Sequence, residues 1–271
     1  IAQVGVSGDS IVLCPNQNTN PLTLQATTTG TATYFYQWQT STDGFTWTNI
    51  SGANSATFTT PMPTTQTYFR TKVAQDSANL GNDFCSATSN TFTVSFYNLP
   101  PTPTSNGNVT ICSNQPIPPL SVTTNATTGV NWYTAATAGT LLQSNATNYT
   151  PSSAGTFYAE TFDLNNNCIN PTRTPVTLSI IPLPTVTISG STSICAGNTA
   201  TISFNGTPNT IVNYTVDGGS NQTLTLNSSG SAFITTPALN STSTYTLISG
   251  TSPALSSCTA NLSGAATVSI N

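Results

Sequence analysis

The sequence predicts an all-β chain built of tandem β-sandwich domains, and three observations carry that expectation. Apolar residues alternate with threonine at a period of two: 91–94 reads T-F-T-V, 185–188 T-V-T-I, 223–226 T-L-T-L and 244–247 T-Y-T-L. In such strands one face packs and the other meets water. Helical periodicity never persists beyond a turn or two. Turn signals separate the alternating runs, among them Asp43-Gly44, Asp217-Gly218-Gly219 and Asn205-Gly206-Thr207-Pro208.

The third observation is a repeat. A β-rich run ends in cysteine, an aromatic follows about twenty residues later, then a Tyr-containing strand, then a second cysteine. The pattern occurs three times, as Cys14 and Cys85 around Trp38, Cys112 and Cys168 around Trp132, and Cys195 and Cys258 around Tyr214. Self-similarity at a period of roughly 80 to 95 residues implies an array of like domains rather than one large core. Cysteine, core aromatic, cysteine at this spacing is the arrangement of an immunoglobulin-like sandwich, which casts Trp38, Trp132 and Tyr214 as core residues packed on a disulfide. Proline marks the joints, in Leu99-Pro100-Pro101-Thr102-Pro103 and Ile181-Pro182-Leu183-Pro184. The domains are therefore expected at 1–99, 100–182 and 183–271. Short proline-rich connectors are semi-rigid and extended, so the expected arrangement is a rod.

Six cysteines in a chain with no histidine indicate disulfides and an oxidising compartment, because zinc sites favour close cysteine spacings and usually histidine. Six cysteines allow fifteen pairings. Taking each small sandwich to staple itself selects 14–85, 112–168 and 195–258, one intradomain disulfide per domain. Each would stabilise its domain by about 4 kcal/mol in the chain-entropy treatment.

Charge excludes whole classes of function. The chain has 3 Lys and Arg against 7 Asp and Glu, for a net charge of −4, while Thr, Ser and Asn number 56, 32 and 29. Arg70, Lys72 and Arg173 cannot neutralise a run of phosphates, which argues against nucleic acid and anionic lipid as partners. No apolar run approaches the ~20 residues of a spanning helix, so membrane insertion is not expected. The chain starts at Ile1 without a leader pattern, as expected of a mature product or a piece of something longer. Without histidine, the usual base for a Ser, Thr or Cys nucleophile is missing. Seven scattered carboxylates, with Asp76/Asp83 and Glu160/Asp163 as the nearest pairs, make a poor glycosidase. We expect no catalytic residue, no metal and no cofactor.

Two strings look functional and read better as structural. Residues 41–47, Ser-Thr-Asp-Gly-Phe-Thr-Trp, resemble the Asp-box hairpin of sialidases but are one residue short; there the carboxylate caps turn amides and the Trp packs beneath. Asp163-Leu164-Asn165-Asn166-Asn167-Cys168 echoes the opening of a calcium loop, but Cys168 stands where glycine is needed and Thr174, followed by Pro175, where the bidentate Glu belongs.

With these strings in hand a family resemblance emerges. Val109-Thr110-Ile111-Cys112, Val130-Asn131-Trp132-Tyr133, Asn148-Tyr149-Thr150-Pro151 and Gly155-Thr156-Phe157-Tyr158 resemble the immunoglobulin-like repeats of large Bacteroidota surface proteins. Ile194-Cys195-Ala196-Gly197-Asn198 with Val216-Asp217-Gly218-Gly219 is similar to the PKD-like repeats found beside them, and Tyr36-Gln37-Trp38-Gln39 with Thr67-Tyr68-Phe69-Arg70 fits the same company. The resemblance implies a segment of a secreted or cell-surface adhesin, exported by type IX secretion, of the gliding-motility type. Its expected role is a rigid stalk, with neighbouring repeats of a longer chain or filament and a surface polysaccharide or glycan as partners. It also implies O-glycosylation at Ser10 and Ser77, which follow Asp9 and Asp76. Two other roles fit the same residues: a subunit of an extracellular filament, and a carbohydrate-binding module.

Overall fold

The computed structural model describes residues 4–15, 17 and 20–271. They are almost wholly strand and turn, with one 3-10 turn at Ser77–Asn79. The chain forms two compact units: Ile1–Thr104 with Thr123–Thr147 and Tyr158–Thr174, and Ser105–Val122 with Asn148–Phe157 and Pro175–Asn271. The molecule is a tandem array of immunoglobulin-like domains, and the residues of the middle repeat divide between the units.

In the first unit, one sheet of the first repeat holds Val4–Val6, Leu22–Thr28 and Thr57–Thr60. The other orders Ser10–Leu13, Phe92–Phe96, Thr67–Ala74, Phe35–Ser41 and Thr48–Asn49, with Ala87–Thr88 added against Thr67–Ala74. The period-two pattern decides which side packs: Leu22, Leu24 and Ala26 point inward, while Thr23, Gln25 and Thr27 face water. Phe69, Phe92, Val94 and Trp38 close the core from the second sheet. The same unit contains an antiparallel pair of the middle repeat, Thr128–Tyr133 against Gly155–Asp163 through Tyr158–Asp163, with Leu141–Gln143 alongside.

The second unit repeats the plan. Val186–Ser189, Thr201–Gly206 and Ser231–Thr235 form one sheet. Thr192–Ile194, Ala265–Ile270, Ser243–Thr251, Ile211–Val216 and Gln222–Thr225 form the other, with Thr259–Asn261 on Ser243–Thr251. Ile202, Phe204, Val212, Leu226 and Val268 fill its core. From the middle repeat it holds Val109–Cys112, parallel to Thr174–Ile181, and Leu120–Thr123 paired with Asn148–Tyr149.

The parallel edge strand overturns the expected disulfides. Ser10–Leu13 runs parallel to Phe92–Phe96 with Leu13 opposite Phe96, so Cys14 sits at the end of the sheet where the chain leaves the repeat. Cys85 sits at the other end. Phe69 lies opposite Phe92, and Ala87 and Thr88, just after Cys85, lie opposite Val73 and Lys72. About eight rungs of ladder part the two cysteines, roughly 27 Å at ~3.4 Å per residue; a disulfide needs Cα atoms within about 7 Å. The third repeat is built alike, with Ile194 opposite Ile270 at one end and Thr251 opposite Thr259, next to Cys258, at the other. The pairing 14–85, 112–168 and 195–258 is therefore wrong. The bonds are Cys14–Cys168 and Cys112–Cys258, and Cys85 and Cys195 are exposed free thiols.

No repeat contains an intradomain disulfide, so each sandwich is held by its core and ladders. The indole of Trp38 stacks on Phe58, with centroids 5.5 Å apart, and donates its N–H to the Ser55 carbonyl; no cysteine belongs to that core cluster. Reduction should accordingly leave the far-UV circular dichroism and the tryptophan fluorescence at their native values, while Trp38→Ala should cost the first repeat about 3–5 kcal/mol in denaturant titration. Collapse of the β signal on reduction alone would show that the cores do not suffice.

Candidate functional site

Both bonds join successive repeats, linking the first cysteine of one to the second cysteine of the next. The first joint is built from Pro100, Pro101 and Pro103, which have no N–H and can engage only through their carbonyls. All three are engaged. The Asn170 side-chain amide donates to the Pro100 carbonyl at 2.8 Å, the Thr161 hydroxyl to Pro101 at 2.7 Å, and the Thr174 hydroxyl to Pro103 at 2.6 Å. The polar groups that hold the connector thus come from the strands and turn flanking Cys168.

Beside this bond lies a cavity of about 410 Å³, walled by Pro15 and Gln17 from the first repeat and by Tyr133, Glu160, Ile169, Pro171 and Arg173 from the second. Arg173 organises its floor. Its Nε donates to Glu160 Oε2 at 2.9 Å, and one terminal nitrogen donates to the carbonyls of Ala135 and Ala138 at 2.7 and 2.5 Å. The guanidinium carbon lies 3.5 Å from the centroid of the Tyr133 ring. Arg173 and Glu160 are 9% and 7% exposed, so this is a buried, hydrogen-bonded ion pair of the kind that fixes geometry. Burial first, and then the Glu160 charge, push the Tyr133 hydroxyl above its ordinary pKa.

In the second unit Pro184 is buried at the start of the third repeat. Gly250 packs beside it, where a Cβ would crowd Leu262 and Thr210 at 3.1 Å and reach ordinary contact with Pro184 at 3.6 Å. The Cys258 carbonyl accepts from the Ser252 N–H at 2.8 Å, as the Cys168 carbonyl accepts from Asp163 at 2.9 Å. The second cysteines thus sit in like turns.

The other sequence-derived residues fall as follows. Trp132 is fully buried and Tyr214 is 8% exposed. Ser10 and Ser77 are exposed, and Asp76 already accepts from the Ala78 N–H. Asp43 accepts from the amides of Thr46 and Phe45 at 2.7 and 2.8 Å and from the Ser41 hydroxyl at 2.8 Å. Those amide bonds, Thr46 first, hold its carboxyl well below the usual carboxylate range. Trp47 is half-buried, one face covered by the Arg70 guanidinium at 4.1 Å. Asp163 accepts from the amides of Asn165 and Asn166, so its carboxylate shapes the turn before Cys168. Sequence reasoning missed the Arg173–Glu160–Tyr133 cluster; the signal was the rarity of charge, since an Arg in so neutral a chain calls for a partner.

Comparison with known proteins adds family matches for two repeats. Residues 3–98 match the family described as domain of unknown function (DUF8696), and residues 100–182 match the family described as Ig-like domain CHU_C associated. No curated protein matches the sequence. Remote structural similarities include the fibronectin(III)-like modules of Clostridium thermocellum CbhA (14% identity, 62% of this chain and 94% of that one, TM-score 0.32). Drosophila N-cadherin EC1-4 aligns at 10% identity over 100% of this chain and 75% of that one, with a TM-score of 0.36. The I9-I11 tandem of titin aligns at 9% identity over 99% of both chains, with a TM-score of 0.34.

Two measurements check the local chemistry. Arg173→Ala strands Glu160 in the interior and should cost about 3–5 kcal/mol, with a smaller loss in the double variant that also carries Glu160→Gln. Equal losses would mean that the ion pair is not the organising contact. A depressed folded-state pKa gives a contribution that is complete above the unfolded value of about 3.9 and lost only as pH falls through the folded value, so the Asp43 carboxyl should still be ionised by NMR at about pH 3. A titration midpoint near 3.9 would contradict its role as the turn cap.

Proposed function

We propose that the chain is a stalk segment of a secreted bacterial cell-surface adhesin, in which cystines laced across the domain joints limit how far the stalk can be drawn out. The bonding of each repeat to the next carries this reading. A staple inside a domain would protect that domain alone; a bond across a joint redirects tension past the joint. Ig-like domains in tandem, disulfide bonds and a neutral hydroxyl-rich surface suit an extracellular spacer. The Bacteroidota surface-protein resemblance extends the proposal to type IX export, a gliding-motility setting, surface glycan as the contacted ligand, and glycans on Ser10 and Ser77.

The mechanics follow from connectivity. The two bonds overlap in sequence, because Cys112 lies inside the segment closed by Cys14–Cys168. The shortest covalent route from Cys14 to Cys258 runs through both cystines and the stretch from Cys112 to Cys168. That stretch is about 56 residues, roughly 190 Å fully extended, against about 244 residues and roughly 830 Å when the bonds are reduced. In the oxidised chain the load bears on that stretch alone, and the rest of the first and third repeats is bypassed.

Single-molecule pulling between the termini tests this. The contour length gained on complete unfolding should rise more than threefold when the protein is reduced. Equal contour lengths in the oxidised and reduced states would remove the mechanical reading.

A further inference from the structure

The three-stranded sheet of the third repeat carries an open groove on its solvent face. Its volume is about 570 Å³, and its lining includes Ser203, Asn205, Thr225, Asn227, Ser231 and Phe233. Small-molecule sites run from about 300 to 1,000 Å³. The strand ladder explains which side chains meet there. Thr201–Gly206 pairs antiparallel with Ser231–Thr235, with Ser203 opposite Phe233 and Asn205 opposite Ser231. Ile202 and Phe204 turn into the core, so the period of two turns Ser203 and Asn205 outward, and Phe233 with them. The ring is 73% exposed. Its neighbours on this face, Thr187, Ser189, Thr201 and Thr235, are exposed hydroxyl residues, so it is a lone apolar surface in a polar setting and not an extended apolar patch.

The polar groups around the ring are available to a ligand. Asn227 Oδ1 accepts from the Ser229 and Ser231 amides at 2.9 and 3.0 Å, which fixes the carboxamide and leaves its NH2 group to donate. Among the described residues, the side chains of Ser203, Asn205, Thr225 and Ser231 make no hydrogen bond to protein, whereas Thr244 and Thr267 on the other sheet satisfy each other. Charge narrows the ligand further. Asp217 is the single charged residue of 183–271, and its carboxylate accepts from the Ser243 hydroxyl and the Thr244 amide. A phosphate, sulfate or uronate would find no cation here, and neither would a nucleic acid. An uncharged pyranose fits: the C–H bonds of one sugar face meet the negative face of an aromatic ring, and its hydroxyls meet amide and hydroxyl groups beside that ring.

We propose that this groove is a binding subsite for a neutral glycan, in which Phe233 stacks on the C–H face of one pyranose ring and Ser203, Asn205 and Asn227 bond its hydroxyls. The proposal rests on the reading of surface glycan as the contacted ligand and gives that ligand a place and a charge.

The test is an NMR titration of the whole oxidised, isotope-labelled chain with neutral trisaccharides of glucose, mannose, xylose and N-acetylglucosamine, and with trigalacturonate as the charged comparison. At least one neutral probe should shift the amides of Ser203, Asn205, Asn227 and Phe233 with a Kd of about 1 mM or tighter, and trigalacturonate should not. Phe233→Ala should weaken that binding about tenfold, the size of a lost aromatic stack, while Phe233→Trp should keep it. The ring is exposed, so both variants should unfold at the wild-type denaturant midpoint, which separates loss of the site from loss of the fold. Shifts confined to other residues, such as those around Trp47, or equal affinity in Phe233→Ala, would overturn the groove and leave the array a glycan binder. No shift from any probe would overturn both. Concentration-dependent shifts at the groove without sugar, abolished in Phe233→Ala, would assign the ring to a contact between copies and overturn the proposal.

Discussion

A disulfide spans about 7 Å between Cα atoms at most, and the sheet of one of these sandwiches is several times longer. In the first and third repeats the parallel edge strand places the first cysteine at the outgoing end, and the return from the longest strand places the second at the incoming end. Neither sulfur can reach its partner in sequence. What each can reach is the sulfur across the proline joint, so one constraint of strand topology sets the bond pattern.

The first joint carries a cluster of directed polar contacts in a chain poor in charge. Three connector carbonyls are held by side chains of the following repeat, and one of only three cations is buried beneath the first joint against Glu160. Elsewhere, threonines pair across strands, as in Thr23 with Thr59, Thr156 with Thr177, Thr244 with Thr267 and Thr251 with Thr259. Such pairs contribute a few tenths of a kcal/mol each and satisfy one another without attracting counter-ions. A surface of this kind is hydrogen-bonding and insensitive to salt.

Much of this was legible from residue order. Alternation located strands because burial in a sheet has period two: Phe92, Val94, Tyr245 and Leu247 face inward between threonines. Trp38 and Trp132 stood out as core because a large indole in an apolar run has nowhere else to go. The disulfides were not legible. Spacing along the chain measures loop length, whereas bonding depends on which end of a sheet each cysteine occupies, and nothing in residues 10–14 announces a strand parallel to 92–96. The same limit hid the joint. Glu160 and Asp163 look like a carboxylate pair in sequence, yet Glu160 binds Arg173 and Asp163 caps its own turn.

The central claim is that the repeats are bonded to one another and not to themselves, and non-reducing peptide mapping of the oxidised protein addresses it directly. Protease digestion with free thiols blocked beforehand should recover 14–168 and 112–258 as the intrachain cystines. Recovery of 14–85, 112–168 and 195–258 would contradict the account at its root, returning each staple to its own sandwich and leaving the joints held by proline and hydrogen bonds alone.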